Sequence, residues 1–209
     1  MEKVFFEPWV GENYETGGVF GKRVMALGES GYCFKECEEC GAINRRDECS
    51  GITKDVIKAF LDPNSEFEPW MNTFTKFERT FNNKELNCEE KKQFWQSIIF
   101  YNYLQTALNG PRIKPNKELY AKSFEPFIEV LDLYKPDLII VWGQQLFNAL
   151  PEGNGKEGSP LIIEGNLYDK CWIYTLNDAH QVKLYAIDHP SSSFPREYMH
   201  LIIKAAIEN

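Results

Sequence analysis

Four short apolar runs constrain what this chain can fold into. They are the VMAL of KRVMALGESGY (22–32), QSIIFYNYLQ (96–105), DLIIVWG (137–143) and KLYAIDHP (183–190). The first is continuously apolar between a charged pair and a glycine, as in a strand buried on both faces of a parallel sheet. Helical patterns separate the runs. One helix follows residue 50, capped by Thr53, with Val56, Ile57, Phe60 and Leu61 on its apolar face and Pro63 ending it. Another covers 117–134, where Tyr120, Phe124, Phe127, Val130, Leu131 and Tyr134 recur at helical spacing. GQQLFNAL begins a short helix after the third strand, and REYMHLIIKAAIEN closes the chain as a helix.

Strands alternating with helices specify a doubly wound α/β fold: a three-layer α/β/α sandwich around a central, mainly parallel four-stranded sheet. The other segments are expected to decorate this frame. Residues 1–21 read as an ordered leader packed on the sheet, and 64–95 as an aromatic-rich stretch ending in a charged helical turn. Residues 153–158 read as a turn, and PLIIEG and KCWIYTL as an antiparallel hairpin at the sheet edge. A single domain over 1–209 is expected, large enough to bury about 70% of its unfolded surface.

The net charge of −8 argues against nonspecific coating of nucleic acid, which depends on neutralising phosphates with Lys and Arg. It leaves room for a local basic groove, for which GPRIKPNK (110–117) concentrates Arg112 and Lys114. No apolar run approaches the roughly 18 residues of a membrane span, and MEKVFFEPWVGENYE lacks the apolar core of a signal peptide. A soluble, cytoplasmic protein, free of membrane and monomeric, is the expectation.

Three strand exits deliver polar residues: Gly28-Glu29-Ser30, Asn102, and His189-Pro190-Ser191-Ser192. In open α/β sheets ligands sit outside the carboxyl ends of the strands, so the three sets should face one site. There the sequence resembles the uracil-DNA glycosylase superfamily, which pairs a first-strand motif of type G-Q-D-P-Y or G-E-A-P-G with a last-strand motif of type H-P-S-P-L-S. The corresponding stretches are LGESGY and HPSSSF. Glu29 matches the glutamate of the second version, Ser30 stands where the first has aspartate, and Gly31 replaces the proline.

The resemblance implies hydrolysis of the N-glycosidic bond of uracil or another altered base in DNA. Glu29 and His189 would be catalytic, the carboxylate stabilising an oxocarbenium-like sugar and orienting water, the imidazole supporting the departing base. Gly28, Ser30, Tyr32 and Asn102 would bind the base. An extruded base needs a wedge and phosphate contacts, and these fall to Ser191, Ser192, Phe194 and Arg196, with Arg112 and Lys114 as further candidates. One alternative is a non-catalytic or repurposed member of the fold that binds a nucleobase, nucleotide or protein. Another is a hydrolase using Ser30 as nucleophile, although Gly-Glu-Ser-Gly lacks the first glycine spacing of a G-x-S-x-G elbow.

Cys33, Cys37, Cys40 and Cys49 place four thiols in one polar loop at 33–49, and CEECG resembles a zinc knuckle. A structural zinc is the first expectation. An iron-sulfur cluster, which some branches of the superfamily carry on cysteines, and free thiols are the alternatives.

Overall fold

The computed structural model describes residues 1–33, 40, 49–110 and 113–209. Its strands are β1 (Trp9–Val10), β2 (Val24–Gly28), β3 (Ile98–Asn102), β4 (Leu138–Trp142), β5 (Gly155–Glu157), β6 (Leu161–Ile163), β7 (Asn166–Tyr168), β8 (Cys171–Thr175) and β9 (Gln181–Ile187). The α-helices are α1 (Ile52–Leu61), α2 (Met71–Asn82), α3 (Cys88–Trp95), α4 (Lys117–Tyr134), α5 (Gln144–Ala149) and α6 (Arg196–Glu208).

Among the described residues the main sheet has seven strands in the order β1-β3-β2-β4-β9-β8-β5, not four. The four expected strands form its parallel centre, β3-β2-β4-β9. The additions are antiparallel and lie at the edges: β1 from the leader on β3, and β8 with β5 beyond β9. Every residue of β2, β3 and β4 is buried, because these strands are covered on both faces.

Alternation sorts their side chains between two cores. Val24, Ala26, Phe100, Ile140 and Trp142 face α1, α2, α3 and α6, while Met25, Leu27, Tyr101, Ile139 and Val141 face α4 and α5. This is a three-layer arrangement. The crossover from β2 to β3 uses helices of the first face, and the return from β3 to β4 runs the opposite way using α4 on the second. Reversing both direction and face keeps one hand for both crossovers. It also leaves a topological switch point between β2 and β4, where ligands of such folds bind.

Small residues on β2 shape the first core. Neighbouring strands lie about 4.8 Å apart, so β3 and β4 are separated by roughly twice that. The rings of Phe100 and Trp142 nevertheless meet at a centroid distance of 5.0 Å, passing over Ala26 and Gly28. Phe74 of α2 closes on both, at 5.2 and 5.6 Å.

Several local expectations are corrected. α1 begins at Ile52 with Gly51 as its N-cap, so Thr53 lies inside the helix, buried and with its hydroxyl unpartnered among the described residues. The 64–95 stretch contains a full amphipathic helix, α2, whose Met71, Phe74, Phe77 and Phe81 are buried. Residues 155–157, expected in a turn, form edge strand β5. PLIIEG does not pair with KCWIYTL. β6 pairs with β7 in a separate two-stranded ribbon, turning through Glu164 and Gly165 at φ of 50° and 81°. Two consecutive positive φ values are what a tight primed hairpin turn demands, and they let the chain reverse sooner than expected. KCWIYTL instead supplies β8, which reverses through 176–180 onto β9.

Candidate functional site

The exits of β2 and β3 are zipped together by backbone. Tyr103 and Leu104 donate to the carbonyls of Gly28 and Glu29, both at 2.9 Å, Leu108 donates to Gly31 at 3.0 Å, and Cys33 donates back to Leu108 at 2.9 Å. The loop bearing Glu29, Ser30 and Tyr32 is therefore an extension of the parallel ladder, fixed beside Asn102. Gly28 and Asn102 are register partners.

Asn102 is 9% exposed, and its amide makes no hydrogen bond among the described residues. It leans over Gly28, where an added Cβ would lie 2.6 Å from Asn102 Oδ1 and 3.3 Å from the Phe100 ring. Buried polar groups are normally paired, so an open amide above an aromatic ring marks a place for a ligand edge. Gln105, a second buried amide three residues further on, behaves oppositely. Its Oε1 accepts from Phe5 N at 2.7 Å and Phe6 N at 2.9 Å, and its Nε2 donates to Tyr101 Oη at 2.8 Å. Gln105 fastens the leader to the sheet and has no capacity left for a ligand.

Glu29 is half-buried, and its Oε1 accepts from Tyr120 Oη of α4 at 2.5 Å and from Gln145 Nε2 of α5 at 3.3 Å. Burial, and then the hydrogen bond to Glu29, push the Tyr120 phenol up to about 12. It stays protonated and remains a donor. Tyr32 is 46% exposed, with its phenol raised by burial and by the Glu29 charge against a hydrogen bond with Ser30.

His189 follows β9 and packs against the exit of β4. Its Cβ lies 3.5 Å from where a Cβ on Gly143 would stand, and its ring meets Trp142 edge-on at 6.2 Å. Gly143 has φ of 101°, a conformation that side chains resist, and it leads directly into α5. Ser191 N donates to His189 Nδ1 at 3.1 Å, and Ser191 Oγ lies 2.8 Å from the same nitrogen. An N–H can only donate, so Nδ1 carries a lone pair and the ring proton sits on Nε2. Burial lowers the imidazole pKa, which keeps the ring neutral. Ser192 N and Oγ both bond to the His189 carbonyl, at 2.9 and 2.7 Å, and fix the turn.

The structure thus brings Gly28, Glu29, Ser30, Tyr32, Asn102 and His189 to the carboxyl ends of one parallel sheet. Ser191 is engaged with the imidazole, and Arg196 is exposed at the start of α6. Phe194 packs partly against the α6 core, which limits it as a free wedge. Lys114 is exposed, and Arg112 and Cys37 lie outside the described residues. Cys33 and Cys40 pack on a small cluster of Phe5, Phe6 and Ala107, while Cys49 is exposed. No group of three or more His, Cys, Asp or Glu suited to a metal occurs among the described residues. His180 and His200 bond to the carbonyls of Pro136 and Thr80, away from the strand exits.

Two surface cavities, of about 150 and 280 Å³, lie elsewhere, one beside Phe124 and Tyr174 and the other beside Trp9 and Lys54. Neither is lined by Glu29, Asn102 or His189, and the open amide and oriented carboxylate are better guides to chemistry than enclosed volume. Sequence reasoning missed Tyr120, which it placed on the apolar face of its helix, and Gln145. The dipeptide Gln144-Gln145 directly after a buried strand was the available signal. Among the described residues no helix is long and apolar enough to cross a membrane. The chain matches no family model and no curated protein.

Proposed function

We propose that this protein is a base-excision glycosylase that hydrolyses the N-glycosidic bond of uracil or another altered base in DNA. The observation that carries the proposal is the amide of Asn102, a residue 9% exposed, which makes no hydrogen bond among the described residues and sits near Phe100 beside the Gly28-Glu29 exit. An amide presents a donor and an acceptor to a base edge, and the aromatic ring offers it a face.

In this reading the C1′–N bond breaks with its electron pair leaving on the base, and positive charge develops on the sugar ring. The Glu29 carboxylate stabilises that charge and orients a water, which adds to C1′ and passes its proton to the carboxylate and from there through solvent to the departed base anion. His189, neutral and protonated on Nε2, donates a hydrogen bond to the carbonyl oxygen of the departing base. Tyr32 lies along C5 of a pyrimidine. Ser192, Arg196, Lys114 and Arg112 are the proposed contacts to the DNA strand, with Phe194 beside the extruded base.

We also propose a structural zinc held by Cys33, Cys37, Cys40 and Cys49. The chemistry of the donors fits: Cys33 and Cys40 share one apolar cluster, and Ala107 N–H points at Cys40 Sγ at 3.3 Å, a contact that favours thiolate. Metal analysis should find about one zinc per chain, and an absorption spectrum separates zinc from iron-sulfur.

The decisive assay is base release from uracil-containing oligonucleotides, single-stranded and mismatched. Release by the wild type, cut to a small residual rate in Glu29→Gln with binding retained, supports the enzyme. Binding without release in both proteins supports a nucleobase-binding module of the same fold, and neither binding nor release refutes the uracil reading.

A further inference from the structure

Glu29 is held unevenly. Oε1 receives two donors, Tyr120 Oη at 2.5 Å and Gln145 Nε2 at 3.3 Å, while Oε2 receives none among the described residues. The two donors also touch each other, with Gln145 Nε2 3.4 Å from Tyr120 Oη. They come from consecutive helices on the same face of the sheet, so they form one rigid bracket behind the carboxylate.

The bracket is itself braced. Tyr103, in the zipped exit of β3, donates from its hydroxyl to the Tyr120 carbonyl at 2.8 Å, and the two rings lie 6.2 Å apart. Asn116 caps α4 by accepting from Leu119 N at 2.9 Å. Gln105 N bonds to Ser123 Oγ at 3.1 Å, and Ser123 Oγ to Leu119 O at 2.8 Å, tying the first turns of α4 to the same exit loop. Tyr120 is 8% exposed, so its ring has no freedom to swing away.

We propose that Tyr120 is a positioning residue for Glu29, anchoring one carboxylate oxygen so that the other faces the reacting sugar and its water. The proposal rests on the glycosylase reading for its consequence in catalysis, but the clamp can be tested without activity. An anchored oxygen fixes the carboxylate plane, and small misplacements of a reacting group cost about 100-fold in rate. The phenol suits this work because burial and the Glu29 hydrogen bond raise its pKa to about 12, so that it is protonated at neutral pH. Gln145, at the longer distance, is the secondary member.

Two measurements test the clamp. In the wild type, proton NMR should show a downfield, slowly exchanging hydroxyl proton that disappears in both Tyr120→Phe and Glu29→Gln and survives in Gln145→Leu. In the base-release assay, Tyr120→Phe should lower kcat about 10- to 100-fold with KM for the oligonucleotide unchanged. The same change in a Glu29→Gln background should then have no further effect. Absence of the hydroxyl signal from the wild type, its survival in Glu29→Gln, or an equal rate loss in both backgrounds overturns the proposal. If the wild type releases no base, the glycosylase reading fails separately and the hydroxyl signal alone decides the clamp. Tyr120→Phe keeps the ring, and thermal unfolding verifies that it folds.

Discussion

The contrast between Asn102 and Gln105 makes a paired prediction. Both are amide residues near one strand exit, at 9% and 8% exposure, yet among the described residues only Gln105 is hydrogen-bonded through its side chain. Replacing Gln105 with Leu keeps the approximate volume but strands the N–H groups of Phe5 and Phe6 and the hydroxyl of Tyr101. Each orphaned buried donor costs about 1–3 kcal/mol. Because the leader can loosen and let in water, we expect a total near 3 kcal/mol, the lower part of that sum. For a chain of this length that is a drop of about 6–12 °C in Tm. Asn102→Leu should behave oppositely. The Asn102 amide has no hydrogen bond among the described residues to lose, and whatever part of it is desolvated without a partner costs at most about 1–3 kcal/mol, which Leu removes. We expect no loss of stability and up to about 1–2 kcal/mol of gain, limited by the close approach to Gly28. Urea unfolding at constant m reads both values. A loss above about 1 kcal/mol in Asn102→Leu would refute the reasoning, because it would mean that the amide is structural and not reserved for a ligand.

Three further outcomes follow from the site and its core. Gly28→Ala should fold with a loss of no more than about 2 kcal/mol yet reduce base release by about 100-fold, since its methyl group would lie 2.6 Å from Asn102 Oδ1 and displace it; melting and kinetics on the same sample check this. Base release should fall on the acid side at a pH below the usual imidazole range, because burial depresses the His189 pKa and only the neutral ring has a free Nδ1 lone pair for Ser191. The same depression means that the unfolded chain takes up a proton before the folded one as pH drops. Acid unfolding should therefore begin at a lower pH in His189→Gln. Glu78 is 4% exposed in the core, with its pKa raised by burial against a hydrogen bond from Trp95 Nε1 at 2.8 Å. The penalty is present while the carboxylate is charged and is lost as pH falls through its raised folded pKa. Glu78→Gln should be more stable than wild type at neutral pH, with the difference closing on acidification in urea melts.

The central sheet was legible because its parallel strands are buried on both faces and so appear as unbroken apolar runs. The edges were not. β1 has two residues and β5 three, too short for any period, and their pairing depends on partners distant in sequence. α2 could have been found, since Met71, Phe74, Phe77 and Phe81 recur at helical spacing. The abundance of aromatics around them hid the pattern. The ribbon of β6 and β7 was misread because Glu164-Gly165 is a turn signal that the longer apolar run of KCWIYTL overshadowed. At the site, Glu29, Asn102 and His189 were visible because a strand exit can be located from the strand. Tyr120 was not, because its hydroxyl meets Glu29 only through the phase of α4 against the sheet, which no local pattern encodes.

What the sequence expressed least directly is that the site is shaped by missing side chains. Gly28 and Gly143 stand at the exits of β2 and β4, the two strands flanking the switch point. Over the first leans Asn102, and against the second rests His189, each in space that a β-carbon would occupy or crowd. Ala26 continues the gap inward and lets Phe100 and Trp142 meet beneath it as an aromatic floor. A bulky residue at Gly28 would separate those rings, fill the space above them and force the Asn102 amide aside in a single change. The glycine before Glu29 and the one after Trp142 therefore matter as much as the residues with chemistry. They leave room at the strand exits for an amide that makes no hydrogen bond among the described residues, and that open amide beside an oriented carboxylate is the physical mark of a binding site.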